Sequence, residues 1–257
     1  MGIHPTAVID PTVQLGENVS VGPYTVIGPR VIIGDNTQLY SHVSIDKDTT
    51  IGKECRIFPF ASVGADPQDI SYQGERTSLI IGDRVTIREA STIHRGTVKG
   101  SMVTRVGNHA LIMAQVHVAH DCQLGDEVIL SSFAVLAGHV RLDNHASVSG
   151  STAIHQFVRV GSYAFVGGMT GLVKDVPPYM IAAGLRDNVA ISPNFVGLKR
   201  KGFPKEALEA IVGVHRIIHN HKPLNLVLDE ALSSYPNSEE AKAIIEFYRS
   251  SERGVYR

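Results

Sequence analysis

Tryptophan is absent from this chain, and phenylalanine and tyrosine supply only 6% of its 257 residues. A core built on aromatic rings is thereby excluded, and smaller branched side chains have to fill the interior. Cysteine is nearly absent as well: Cys55 and Cys122 are too few for a disulfide framework and show no metal-ligand spacing. Each lies two residues ahead of an aliphatic, Ile57 or Leu124, in a slot filled elsewhere by Ala7, Val13, Thr25, Val43, Ala134 and Thr152. Both are therefore read as small core residues. No run of about 18 apolar residues occurs, so no membrane span is expected. The start, Met1-Gly-Ile-His-Pro-Thr6, has no basic stretch followed by an apolar one, and a cytoplasmic location is the expectation. A formal net charge of −1 gives no bulk attraction to nucleic acid or to an anionic membrane.

Glycine is plentiful, with 24 residues, and aliphatic residues return at every sixth position. They run from Ile3 through Ile9, Leu15, Val21 and Ile27 to Val63, and again from Val106 through Ile112, Val118, Leu136 and Ile154 to Leu172. Neither a helix nor a simple strand alternation has this period. Glycine often follows the aliphatic, as at Gly16, Gly22, Gly28, Gly34 and Gly52, which suggests a short strand and then a bend where glycine relieves the steric cost. Three such sides close a triangular coil of about 18 residues whose copies stack as parallel strands about 4.8 Å apart. The expected fold is mainly β, a parallel β-helix of hexapeptide repeats over residues 1–190, followed by a small α-helical domain over 191–257.

The rhythm breaks twice, over 64–80 and 94–105. If each break is one inserted loop, Val63 and Ile93 share an edge with Val118 and both loops leave the same corner. After Lys174-Asp-Val-Pro-Pro-Tyr179 a connector leads to Asn194-Phe-Val-Gly-Leu-Lys-Arg-Lys201. Pro204 suits a first helical position before Leu208, Ile211, Val212 and His215. Pro223 divides this helix from the next, and Asn237 to Glu240 has capping-box spacing.

Residues one coil apart stack, so His120, Gly138 and Gln156 form one column, which Lys174 continues. His117, His139 and His155 flank the same edge. Imidazoles gathered from distant parts of the chain suggest proton transfer, with zinc binding as the nearest rival.

Six segments, Ile93-His-Arg-Gly-Thr97, His117-Val-Ala-His-Asp-Cys122, Leu136-Ala-Gly-His139, His155-Gln-Phe157, Asp175-Val-Pro-Pro-Tyr179 and Gly197-Leu-Lys-Arg200, carry a resemblance. With them the chain resembles, over essentially its whole length, the bacterial UDP-N-acetylglucosamine acyltransferases that open lipid A biosynthesis. The resemblance implies a left-handed coil and transfer of a 3-hydroxyacyl chain from acyl carrier protein to the sugar 3-position, without a cofactor, a bound metal or an acyl-enzyme. It implies that His120 is the general base, that Asp121 orients it and that the Gly138 N–H receives the oxyanion. His117, His139, His155 and Gln156 match sugar or acyl contacts. Gln68 and Asp69 match sugar and phosphate contacts, and Asn194 and Arg200 match contacts to the nucleotide. Arg200, with Lys199 and Lys201, also suits the acidic carrier protein. Gly168 matches the position that sets acyl length, or is a plain repeat turn. Since it lies on a different edge from His120, a homotrimer with sites between subunits is implied.

This chain departs from the family pattern at Ser71, where a lysine is common, at Val196, where a glutamate is common, and at Leu185-Arg186 after Gly184. All three touch the acceptor side, which leaves UDP-N-acetylglucosamine and a 3-amino analogue both open. Three other readings remain. An N-acyltransferase of the same pathway usually has an additional N-terminal uridine-binding domain. A γ-type zinc carbonic anhydrase usually spaces its histidines by five, whereas His117 and His120 are spaced by three. A non-catalytic scaffold predicts that His120 is dispensable.

Overall fold

The computed structural model describes residues 2–220 and 222–257. Each side of the coil contributes a short strand whose first residue points outward and whose second is buried, as in His117–Val118, Gln123–Leu124 and Ile129–Leu130. Their parallel partners lie one coil on: Val118 pairs with Leu136, Leu124 with Leu142 and Leu130 with Val148. Among the described residues this builds three sheets, of nine, eight and ten strands, around one aliphatic core. The architecture is the expected left-handed parallel β-helix with C-terminal helices. Burial of each repeat aliphatic contributes roughly 1.5–3 kcal/mol, and the layers reinforce only their neighbours.

The slot ahead of each aliphatic also faces inward. Cys55 and Cys122 are buried there, as expected, and the Cys122 Sγ donates to Ala137 O at 3.2 Å. Thr25 and Thr152 answer the same need, donating to Tyr40 O and Gly167 O.

The reason for the glycines differs from the expectation. Gly16 and Gly34 are not the left-handed residues of their corners; Asn18 (φ 55°) and Asn36 (φ 58°) are, two positions later. A Cβ at Gly34 would lie 2.7 Å from the carbonyl carbon of Gly52 in the next coil. Glycine is needed there because the coils approach closely. Cross-coil hydrogen bonds such as Asn36 N–H to Glu17 O (2.8 Å) hold the left-handed residues in place.

Strands Ser62–Ala65 and Thr92–His94 lie in the same sheet as His117–Val118, so both loops do leave one corner. Between strands the loops span 66–77 and 95–102, because Ser78–Ile81 and Val103–Val106 pair along their full length. Past the last coil, Met180–Ala183 and Ala190–Pro193 form an antiparallel pair that hexapeptide periodicity does not reveal. Helices α1 (Phe195–Arg200), α2 (Lys205–Ile218), α3 (Leu224–Ser234) and α4 (Glu239–Arg249) follow.

Pro204 precedes α2 as its cap rather than opening it, and Pro223 does the same for α3. At α4 the cap is Ser238, not Asn237: its Oγ accepts from Ala241 N–H at 3.2 Å. The buried face of α2 is Leu208, Ile211, Val214 and Ile218, with Val212 only half-buried. The end of the chain returns to close the prism. Tyr256 is buried against the β-helix core, and its hydroxyl accepts from Val173 N–H at 2.8 Å.

Candidate active site

The strand His117–Val118 runs into a corner where Asp121 takes a left-handed φ of 59°. Its N–H donates to Thr104 Oγ1 at 2.8 Å, which fixes the turn and leaves the adjoining side chains of His120 and Asp121 facing each other. His120 Nδ1 lies 2.9 Å from Asp121 Oδ2. The carboxylate also accepts from Thr97 Oγ1 at 2.7 Å and from Thr97 N–H at 3.1 Å. Burial raises its pKa, but the hydrogen bonds from His120 and Thr97 outweigh this and hold it below the usual carboxylate range.

One coil on, Gly138 lies directly against the imidazole. A Cβ there would come within 2.5 Å of His120 Cε1 and 2.7 Å of Nε2. The stacked position admits the ring only because residue 138 has no side chain.

Around this pair the rings of His120 and His139 meet edge to face at 5.1 Å, and His139 stacks on Phe157 at 4.4 Å. His117 is fixed by Thr92 Oγ1 at 2.8 Å, and its ring meets His94 edge to face at 5.1 Å. Desolvation lowers the pKa of His94, His117 and His139, His94 to about 4. His94, buried with its Nδ1 unpartnered, is therefore neutral at physiological pH.

A folded-state pKa below the unfolded value of about 6.5 makes the unfolded chain bind more protons between the two. The stability contributed by neutral His94 is complete above about pH 6.5 and is lost as pH falls toward 4, on the order of 3 kcal/mol. In urea titrations across that window a His94→Gln protein should show the flatter dependence of midpoint on pH. Equal slopes would remove His94 as the cause.

The first loop brings Asp69 to this centre. Its carboxylate accepts from Ser71 N–H and Ser71 Oγ, both at 2.7 Å, which lowers its pKa with a smaller contribution from nearby His120, and its charge partly offsets the desolvation of His139. Ser71 thus grips the Asp69 carboxylate. Gln68 is exposed on the same loop.

His155 and Gln156 lie exposed further up the corner, with His155 Nδ1 facing Arg253 at 3.3 Å. Gly168 lies on a different corner from His120, as expected from its phase: it falls between the ten-stranded sheet and the nine-stranded sheet, whereas His120 falls between the nine-stranded and the eight-stranded one. The nearest atom to a Cβ there would be Gly150 O at 3.5 Å, so nothing within one chain demands glycine. Asn194 is half-buried and donates to Tyr163 O at 3.0 Å, while Arg200 is exposed on α1; neither adjoins His120 in the same chain. Thr92, His94, Thr97, Thr104 and Phe157 join the site without having been assigned roles from sequence. Thr97 lay in view within Ile93-His-Arg-Gly-Thr97, but its partner is 24 residues away.

His120, Asp121 and His139 offer donor atoms within 4.8 Å of one another, a spacing that could hold a metal ion. A zinc–oxygen bond of about 2.0–2.2 Å to Asp121 would have to displace donors already in place. Thr97 and His120 occupy this carboxylate as in a hydrogen-bonded relay. Cys122 is fully buried with its thiol pushed up to about 12, so it offers no nucleophile.

Known proteins match this chain along its whole length. A family model described as "Udp N-acetylglucosamine O-acyltransferase; Domain 2" matches residues 175–256, and one described as "Bacterial transferase hexapeptide (six repeats)" matches 12–47 and 104–138. The UDP-N-acetylglucosamine O-acyltransferase (LpxA) of Moraxella catarrhalis is 39% identical, covers 100% of both chains and superposes with a TM-score of 0.95. The chain belongs to this family. The LpxA of Bacteroides fragilis is 40% identical over 99% of each chain with a TM-score of 0.95. The UDP-N-acetylglucosamine acyltransferase of Francisella novicida is 37% identical, with a TM-score of 0.94, over 100% of this chain and 94% of that one. The protein is accordingly an acyltransferase, and no helix among its described residues is long and apolar enough to cross a membrane.

Proposed function

We propose that the protein catalyses the first step of lipid A biosynthesis, moving a 3-hydroxyacyl chain from acyl carrier protein to the 3-position of UDP-N-acetylglucosamine or its 3-amino analogue. One observation carries the mechanism: the His120 ring, tied through Nδ1 to buried Asp121, presents Nε2 beside Gly138. With Nδ1 donating to the carboxylate, Nε2 holds the lone pair that removes the acceptor's proton as it attacks the thioester carbonyl. Asp121 stabilises the imidazolium that forms. Among the described residues no group accepts from the Gly138 N–H, which leaves this donor for the developing oxyanion. The tetrahedral intermediate collapses with loss of the carrier thiolate, which takes up the proton from the imidazolium. Neither a resident metal nor a cofactor enters these steps.

Gln68 and Asp69 hold the sugar from the first loop, His117 and His139 line the reacting centre, and His155 and Gln156 flank the acyl donor. Gly168, Asn194 and Arg200 act across a subunit boundary in a cytoplasmic homotrimer. The placement of Gly168 on another corner, where its own chain makes no demand for glycine, supports this reading. The decisive assay incubates the protein with each nucleotide sugar and a series of 3-hydroxyacyl carrier proteins and identifies products by mass spectrometry. A nucleotide sugar acylated at position 3 is expected; no acylated nucleotide from any pair would refute the proposal.

A further inference from the structure

Arg95 is entirely withdrawn from solvent, an unusual place for a guanidinium, and it does not touch the base or its carboxylate. Its contacts lead to the first loop instead. One terminal nitrogen donates to Gly64 O, and the other donates to Asp66 and, at 3.2 Å, to the Tyr72 hydroxyl. The main chain adds two bonds: Arg95 N–H to Ala65 O at 3.1 Å, and Gly96 N–H to Ser78 O at 3.2 Å. The loop is therefore pinned where it leaves the prism, where it returns and in its middle, all from Arg95 and Gly96.

We propose that Arg95 is the positioning residue for the acceptor, setting Asp69 against His120 through Tyr72. This rests on the reading above that Gln68 and Asp69 contact the nucleotide sugar. From the guanidinium the path runs to the Tyr72 hydroxyl, then through Tyr72 N–H to Asp69 O at 3.0 Å. Ser71, between them, orients the Asp69 carboxylate through its own N–H and hydroxyl. Two residues beyond Arg95, Thr97 holds the catalytic Asp121. The segment Arg95-Gly-Thr97 thus braces the acceptor loop with one residue and the Asp121 carboxylate with another. A shift of Arg95 misplaces the acceptor relative to the base, while none of the residues assigned above to the acyl donor lies on this path.

The test uses Tyr72→Phe, which removes one hydroxyl from the half-buried side chain, beside Arg95→Lys, which keeps the charge but loses the planar fork. Losing this hydroxyl, which also lies 3.0 Å from Glu75 O and 3.2 Å from Asp66 Oδ1, should raise the KM for the nucleotide sugar about three- to tenfold in Tyr72→Phe, with the carrier-protein KM within about twofold. Amide exchange at Ser71 and Tyr72 should quicken in the same variant. In a double-mutant cycle the two substitutions should be non-additive. Asp69→Ala serves as the reference. If it raises the acceptor KM and Tyr72→Phe does not, the brace is overturned while the acceptor role of the loop stands. If Asp69→Ala leaves the acceptor KM unchanged, the acceptor role of the loop falls, and the positioning role falls with it. Equal rises in both KM values with slower turnover would mean general damage and would also overturn the proposal.

Discussion

A His120→Ala protein is expected to lose acyl transfer by at least about 10²-fold in kcat, the usual consequence of a missing general base, with its assembly and thermal stability kept. Stability should survive because the ring lies at an outward corner. The core below consists of Val118, Leu136 and Ile154, none of which the substitution disturbs. Asp121 keeps its bonds from Thr97, so no buried carboxylate is left without a donor. His120→Gln, which can accept but not carry a proton away, should be as inactive as alanine. Parallel assays of kcat and sedimentation on the purified variants check both halves. Undiminished turnover in His120→Ala would move the base elsewhere, and His139, edge to face with it at 5.1 Å, would become the candidate.

The second large effect is expected from one methyl group. Gly138 does not have a left-handed φ, so alanine meets no backbone penalty there. What it meets is the His120 ring, at 2.5 Å from Cε1. The colliding atoms belong to a side chain that can rotate, so folding should be spared and the ring displaced. Rotation breaks the 2.9 Å bond to Asp121 and takes Nε2 away from the oxyanion donor. Two catalytic devices are lost together, and kcat should fall by about 10²–10³-fold or more, with the acceptor KM changed far less. Steady-state kinetics of Gly138→Ala, with circular dichroism as the folding control, provides the check. Activity within about tenfold of wild type would mean that the ring does not work from this position.

Legibility differed sharply between parts of the molecule. The prism could be read because a period of six is repeated so often that single exceptions do not matter, and the phase alone stacks Gly138 on His120. Corner glycines were misread because position in a turn suggested backbone freedom, whereas the collision that excludes a side chain at Gly34 comes from the next coil. The antiparallel pair Met180–Ala183 and Ala190–Pro193 has no periodic signal and is set by packing on the last coil.

Within the site, phase gathered the histidines of the repeat but could not reach the loops. The Thr97 bond to Asp121 and the approach of Asp69 depend on how the excursions fold back, which no spacing encodes. Gln156 shares the column of His120, yet it is exposed further up the corner. Sharing a column brings residues to one edge of the prism but does not put them in contact. Arg95 stands within the motif Ile93-His-Arg-Gly-Thr97, yet its role is invisible in sequence, because its burial and its partners at Gly64, Asp66 and Tyr72 exist only in three dimensions.

Direct transfer driven by His120 can be followed in a single turnover with a radiolabelled 3-hydroxyacyl chain on the carrier protein, quenched at intervals and resolved by mass. Label should pass from carrier protein to nucleotide sugar with none on the enzyme at any time, and should stay on the carrier when His120→Ala replaces the wild type. Label on the enzyme before the sugar, or unslowed passage in His120→Ala, would show that another residue performs the chemistry.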